Sequence, residues 1–147
     1  MHIPETVPAI QRPTLLVVSD ASHALFFAMR DRELESTGEI AIDYPPKEDM
    51  ERASIQTPGG THSAEQSENL GMEKIHRFSH QLAAELHRRL QEGEFEELYL
   101  TGSQEHIEQF LEALHPDVRS RVSKTLHKQV TKESPTKILE RFYEKTA

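Results

Sequence analysis

The sequence predicts an α/β domain, a mixed five-stranded sheet with helices packed on it. Three observations predict it. Residues 14–19, Thr-Leu-Leu-Val-Val-Ser, form a continuous β-favouring apolar run, as a strand covered on both faces requires. Ile75, Phe78, Leu82, Leu86 and Leu90 recur at helical spacing along one stripe. The apolar segments follow the order βββ–loop–α–β–α–β–α, and a strand meander before alternating helix and strand implies a sheet with helices on it.

The elements follow in order. Residues 1–13 carry Pro4, Pro8 and Pro13 without periodicity, so a flexible N-terminal tail is expected before a single domain over 14–147. Asp20-Ala21-Ser22 turns the chain, and residues 24–29 make a second strand, antiparallel because the connection is tight. Residues 33–43 alternate around Leu34, Ile40 and Ile42 and predict a third, more exposed strand. Pro45-Pro46 stops it. A long loop is expected at 44–69, with Gly59 and Gly60 inside it; loops of this length are functional or disordered, and composition leaves its order open.

Helix periodicity covers 70–91, with Gly93 as its C-cap. Residues 97–101 are a strand, and Gly102-Ser103 turns into a helix whose inner face is Ile107, Phe110, Leu111 and Leu114. His115-Pro116 ends that helix. Over 119–130 both structures stay open: Val118, Val122, Leu126 and Val130 suit a helix, and 122–126 suits an edge strand. Ser134 and Pro135 fit N-cap and N1 of a last helix with Ile138, Leu139 and Phe142 inward.

The 147 residues carry a net charge of −8 and contain no cysteine, which excludes disulfides, thiolate metal sites and a cysteine nucleophile. No apolar run reaches the roughly 20 residues that span a membrane, and the N-terminus lacks signal-peptide character, so a cytoplasmic protein is expected. The charge is uneven. Residues 1–114 hold 9 Lys/Arg and 21 Asp/Glu, whereas 115–147 hold 8 Lys/Arg and 4 Asp/Glu. The basic residues are Arg119, Arg121, Lys124, Lys128 and Lys132, with Lys124, Lys128 and Lys132 spaced every four residues. They make either a solvated edge or a contact for RNA or an acidic partner. The acidic remainder argues against tight non-specific nucleic-acid binding.

Candidate chemistry is thin. His76 and His80 have the i, i+4 spacing of zinc histidines, but Arg77 stands where a zinc hydrolase helix carries Glu, and His87 is almost three turns from His76. No metal and no cofactor is expected. Asp20 ends the first strand, where a two-metal nuclease would place a carboxylate, with Asp43, Glu65 and Glu68 as partners that no spacing singles out. No nucleophile elbow or phosphate-binding glycine loop is present.

Three stretches carry a resemblance: residues 17–27, Val-Val-Ser-Asp-Ala-Ser-His-Ala-Leu-Phe-Phe; residues 78–86, Phe-Ser-His-Gln-Leu-Ala-Ala-Glu-Leu; and residues 95–100, Phe-Glu-Glu-Leu-Tyr-Leu. Residues 110–122 add a fourth. Together they resemble the bacterial host attachment proteins, grouped also as bacterial relatives of the archaeal and eukaryotic release factors. The resemblance implies a ribonuclease H-like, release-factor-middle-domain-like fold. In release factors a Gly-Gly-Gln loop precedes a long helix and enters the peptidyl-transferase centre. Here Gly59 and Gly60 hold the corresponding place, Thr61 stands at the glutamine position, and His62, Ser63 and Ala64 follow. Peptidyl-tRNA hydrolysis is therefore not expected, and Gly59, Gly60, Thr61 and His62 are expected as a contact loop. The expected function is a non-catalytic binding protein of the host attachment family. The alternative is a ribosome- or RNA-associated translation factor, and a metal-dependent nuclease ranks third. The expected partners are a ribosome, RNA or another protein, not a membrane; oligomeric state stays open.

Overall fold

The computed structural model describes residues 1–20, 22–41 and 61–143, with the backbone alone over 61–73. Its elements are β1 (Ile10–Ser19), β2 (His23–Asp31), β3 (Glu33–Ala41), α1 (Thr61–Gln91), β4 (Glu97–Thr101), α2 (Gln104–Ala113), α3 (Pro116–Arg119), β5 (Val122–Leu126) and α4 (Pro135–Phe142). The strands form one mixed sheet in the order β3–β2–β1–β4–β5. Short connections make β1–β2 and β2–β3 antiparallel; connections through helices make β1–β4 and β4–β5 parallel. The hairpin between β2 and β3 turns at Asp31, whose φ of 56° an Asp tolerates better than most residues.

β1 reads as an unbroken apolar run because both sheet faces are covered. Leu15 and Val17 face α1 and α2, packing with Phe26, Phe78, Leu82, Leu86, Ile107 and Phe110. Leu16 and Val18 face the other way, toward Met29, Leu34, Tyr99 and the α4 residues Ile138 and Leu139. Phe78 of α1 meets Phe110 of α2 edge to face at 5.8 Å, worth about 0.5–1.5 kcal/mol beyond the area it buries. Ser134 caps α4 with its hydroxyl accepting from the Lys137 amide, and Pro135 opens the helix, as the sequence predicts.

Three expectations change and one open alternative is decided. Residues 1–13 are not a loose tail. Ile3 and Val7 are fully buried, Ile10 already belongs to β1, and the Ile3 amide donates to the Arg32 carbonyl at the β3 edge. Ile3, Val7 and Ile10 stand at i, i+4 and i+7, but Pro4 and Pro8 exclude the helix that this spacing would suggest, so their burial was not announced. The predicted loop 44–69 lies outside the described residues up to 60, but Thr61 already starts α1, nine residues before the expected helix. His115-Pro116 does not only end α2. Pro116 takes N1 of α3, and the His115 ring nitrogen Nδ1 accepts the Asp117 amide at 3.1 Å. Finally, residues 122–126 are a strand at the sheet edge. The register slips between Leu98 and Tyr99, so Ser123 is an extra residue. That slip turns Val122 toward the α1 side and Leu126 toward the α4 side, producing a spacing that a helix would also give.

A second bulge shapes the other edge. Phe26 pairs with Gly38 and Phe27 with Ser36, leaving Thr37 extra. Gly38 sits at φ 130°, a conformation that side chains rarely adopt, and a Cβ there would stand 3.2 Å from Arg89 Nη2. The bulge turns the Thr37 carbonyl and hydroxyl onto the Arg89 guanidinium of α1, at 3.1 and 3.2 Å. α1 is thereby tied to β3 as well as seated on the sheet. Gly93, at φ 76°, ends α1 as the predicted C-cap.

Candidate functional site

The predicted contact residues separate into two places. Gly59 and Gly60 lie outside the described residues. Thr61 and His62 are in the first turn of α1 rather than in a loop. The basic residues of 119–132 lie at the β5 edge and beyond it, but they are not one row. Arg119 closes α3, and its guanidinium donates to the Leu111 carbonyl from Nε at 2.8 Å and to the Glu112 carbonyl from Nη2 at 3.1 Å. It satisfies the last carbonyls of α2, where a cation also complements the helix dipole. Lys124 is half-buried, with Nζ 4.7 Å above the Tyr143 ring. Arg119, Arg121, Lys128 and Lys132 are exposed, and of these Arg119 turns its guanidinium onto the α2 carbonyls. Lys124, Lys128 and Lys132 do not share a strand face, because β5 ends at Leu126, and Arg119 and Arg121 do not share one, because Arg119 is helical.

Behind this edge lies a polar cluster that the sequence did not announce. The Tyr99 and Tyr143 hydroxyls are 2.6 Å apart. Burial first, then the Tyr143 hydrogen bond, pushes the Tyr99 phenol well above its usual range. Tyr99 and Tyr143 line a hollow of about 260 Å³ with residues 8–12 and Glu97. Glu133 pairs with Arg141, which holds its carboxyl below the usual range; burial opposes this, and Lys137 and Lys128 help it. A strand tyrosine and a tyrosine after a helix share no sequence spacing, so only the tertiary fold pairs them.

Asp20 has a turn role. Its Oδ1 accepts the Ser22 amide at 2.9 Å, and its own amide donates to the His23 carbonyl. Its supposed nuclease partners Asp43, Glu65 and Glu68 lie outside the described side chains. The histidines sort as their spacing implies, with His87 apart from the other two. His76 and His80 meet through their Nε2 atoms at 3.1 Å. His87 instead stacks on His115 at 4.1 Å, with Asp117 beside it. Sequence reading treated His115 as a helix terminator and missed that partner.

Among the described residues, no helix is long and apolar enough to cross a membrane. Residues 13–142 match the model of bacterial archaeo-eukaryotic release factor family 12. No curated protein matches the chain. Among solved structures the chain is similar to an archaeal translation termination factor, aRF1, at 12% identity and a TM-score of 0.48, covering 89% of this chain and 36% of that one. It is also similar to a structure described as an archaeal protein, at 10% identity and a TM-score of 0.49, again over 89% and 36%. The chain thus spans little more than a third of the length of either.

Proposed function

Because the chain belongs to bacterial archaeo-eukaryotic release factor family 12, we propose that it is a ribosome-associated, translation-factor-like domain that binds RNA and performs no hydrolysis. The family match supports this reading over host attachment. We also read the sheet order, in which β2 alone runs against the other strands, as ribonuclease H-like and release-factor-middle-domain-like. The observation that supports the RNA reading is that Arg121, before the edge strand β5, and Lys128 and Lys132, after it, are exposed in the basic C-terminal part of a chain whose residues 1–114 are acidic. An edge of this kind attracts phosphate while the acidic remainder repels it, which favours a defined contact over general adhesion. Thr61 at the glutamine position, opening α1, supports binding without peptidyl-tRNA hydrolysis.

The test is the salt dependence of binding to a structured ribosomal RNA fragment. Three phosphate contacts imply an affinity loss of roughly 20- to 40-fold between 50 and 200 mM salt. The triple variant Arg121→Glu, Lys128→Glu, Lys132→Glu should abolish that slope, and its sites are exposed, so the fold survives. Binding that ignores salt, or that the triple variant retains, removes the RNA reading.

A further inference from the structure

We propose that His76 and His80 form a two-histidine chelate for a divalent transition-metal ion on the exposed side of α1. The two residues are one turn apart, and both rings are exposed. Their Nε2 atoms stand 3.1 Å apart, and the ring planes meet at 83°. Both figures fit one ion. Two imidazole nitrogens each about 2.05 Å from a metal lie about 2.9 Å apart at a right angle and about 3.3 Å apart at the tetrahedral angle. The lone pair of an imidazole nitrogen lies in the ring plane, so perpendicular rings let a single ion lie in both planes.

The geometry also sets the proton requirement. Without metal, the 3.1 Å contact is an N–H···N hydrogen bond, in which one Nε2 donates and the other accepts. For both to coordinate, each neutral ring carries its proton on Nδ1, so the donating ring changes tautomer and no net proton leaves the neutral pair. Imidazole donors select zinc, copper or nickel over magnesium or calcium. Water completes the coordination. Arg77 follows His76 where a zinc hydrolase helix places its general base, so the site binds an ion without hydrolytic machinery. Phe78, buried between the two histidines in sequence, holds this turn of α1 against the sheet and fixes the face that the histidines share.

The other histidine group does not offer the same geometry. His87 and His115 are nearly parallel, at 11°, and one ion cannot lie in two stacked planes. His115 Nδ1 is also engaged by the Asp117 amide. That group therefore serves as the control.

The test is calorimetric titration of the full chain with Zn²⁺ at pH 7.5, together with the histidine ring cross-peaks in a ¹H–¹³C NMR spectrum. The expected result is one ion per chain, with affinity reduced at least tenfold in His76→Ala and in His80→Ala and changed less than twofold in His115→Ala. The His76 and His80 ring signals should shift on addition of Zn²⁺. Both histidines are exposed, so the alanine variants keep the fold, which the remaining amide spectrum verifies. Absence of Zn²⁺ binding, equal affinity in either alanine variant, or a loss confined to His115→Ala overturns the proposal.

Discussion

Replacing Arg89 with Met isolates the buried guanidinium that ties α1 to the β3 edge. Arg89 is 7% exposed. Its Nε donates to Glu85 Oε1 at 2.9 Å, Nη1 to Glu94 Oε2 at 3.1 Å, and Nη1 and Nη2 to Thr37; the guanidinium carbon lies 4.4 Å above the Phe26 ring. Met matches the stem but leaves the Thr37 carbonyl and two carboxylates without this partner. Truncating one partner of a fully buried pair costs about 3–5 kcal/mol. Glu85 and Glu94 both reach water, at 22% and 39% side-chain exposure, which places the expectation at the low end, about 3 kcal/mol with the lost ring contact included. For a chain of this size that is a fall in Tm of roughly 6–12 °C.

Urea unfolding should show a lower midpoint at unchanged slope. The pH dependence carries a second signature. Burial raises the Glu85 carboxyl, but the hydrogen bonds and charges of Arg88 and Arg89 outweigh it and hold the group below its usual range. A depressed carboxyl contributes stability that is present above its unfolded pKa and lost as pH falls through the folded one. The native protein should therefore lose stability on acidification below about pH 4.5, and Arg89→Met should lose less, since only Arg88 remains to hold Glu85. A destabilisation under about 1 kcal/mol at pH 7, or an unchanged acid profile, would refute this account of how α1 is seated.

Two further outcomes follow from the β5 edge. Arg119→Ala should destabilise by about 1 kcal/mol in urea unfolding, by exposing the last α2 carbonyls, yet leave RNA affinity within twofold, because its guanidinium faces the protein. Tyr143→Phe should cost about 1 kcal/mol and shift the ionisation of Tyr99 to lower pH in an ultraviolet titration without returning it to the usual phenol range, since burial is the larger cause. A raised phenol stabilises the neutral form in the fold, so the stability lost above about pH 10 should shrink in the same variant.

Strands β1, β2 and β4 were legible because continuous apolar runs need cover on both faces, and α4 was legible because Ser134 and Pro135 state its start. What escaped depends on tertiary pairing. Ile3 and Val7 anchor an N-terminal segment in which Pro4 and Pro8 forbid the helix that their spacing would suggest. The β5 bulge at Ser123 is why the spacing over 119–130 suited a helix as well as a strand. Arg89 reads in sequence as an ordinary cation near a helix end, and only the Thr37 bulge makes it a tie. The basic edge was legible as composition, but not the engagement of Arg119 by the α2 carbonyls or of Lys124 by the Tyr143 ring, because neither contact follows a spacing that marks it in the sequence. His76 and His80 were visible as a spacing, whereas the stack of His87 on His115 required the contact between α1 and the start of α3.

The measurement that bears most directly on the central claim is co-sedimentation of the protein with bacterial ribosomes at 50 and 200 mM salt, comparing the native chain with the Arg121→Glu, Lys128→Glu, Lys132→Glu variant. The account predicts co-sedimentation at low salt that weakens at the higher salt and vanishes in the variant. A native protein that stays in the supernatant at both concentrations, or a variant that pellets as the native chain does, would contradict it.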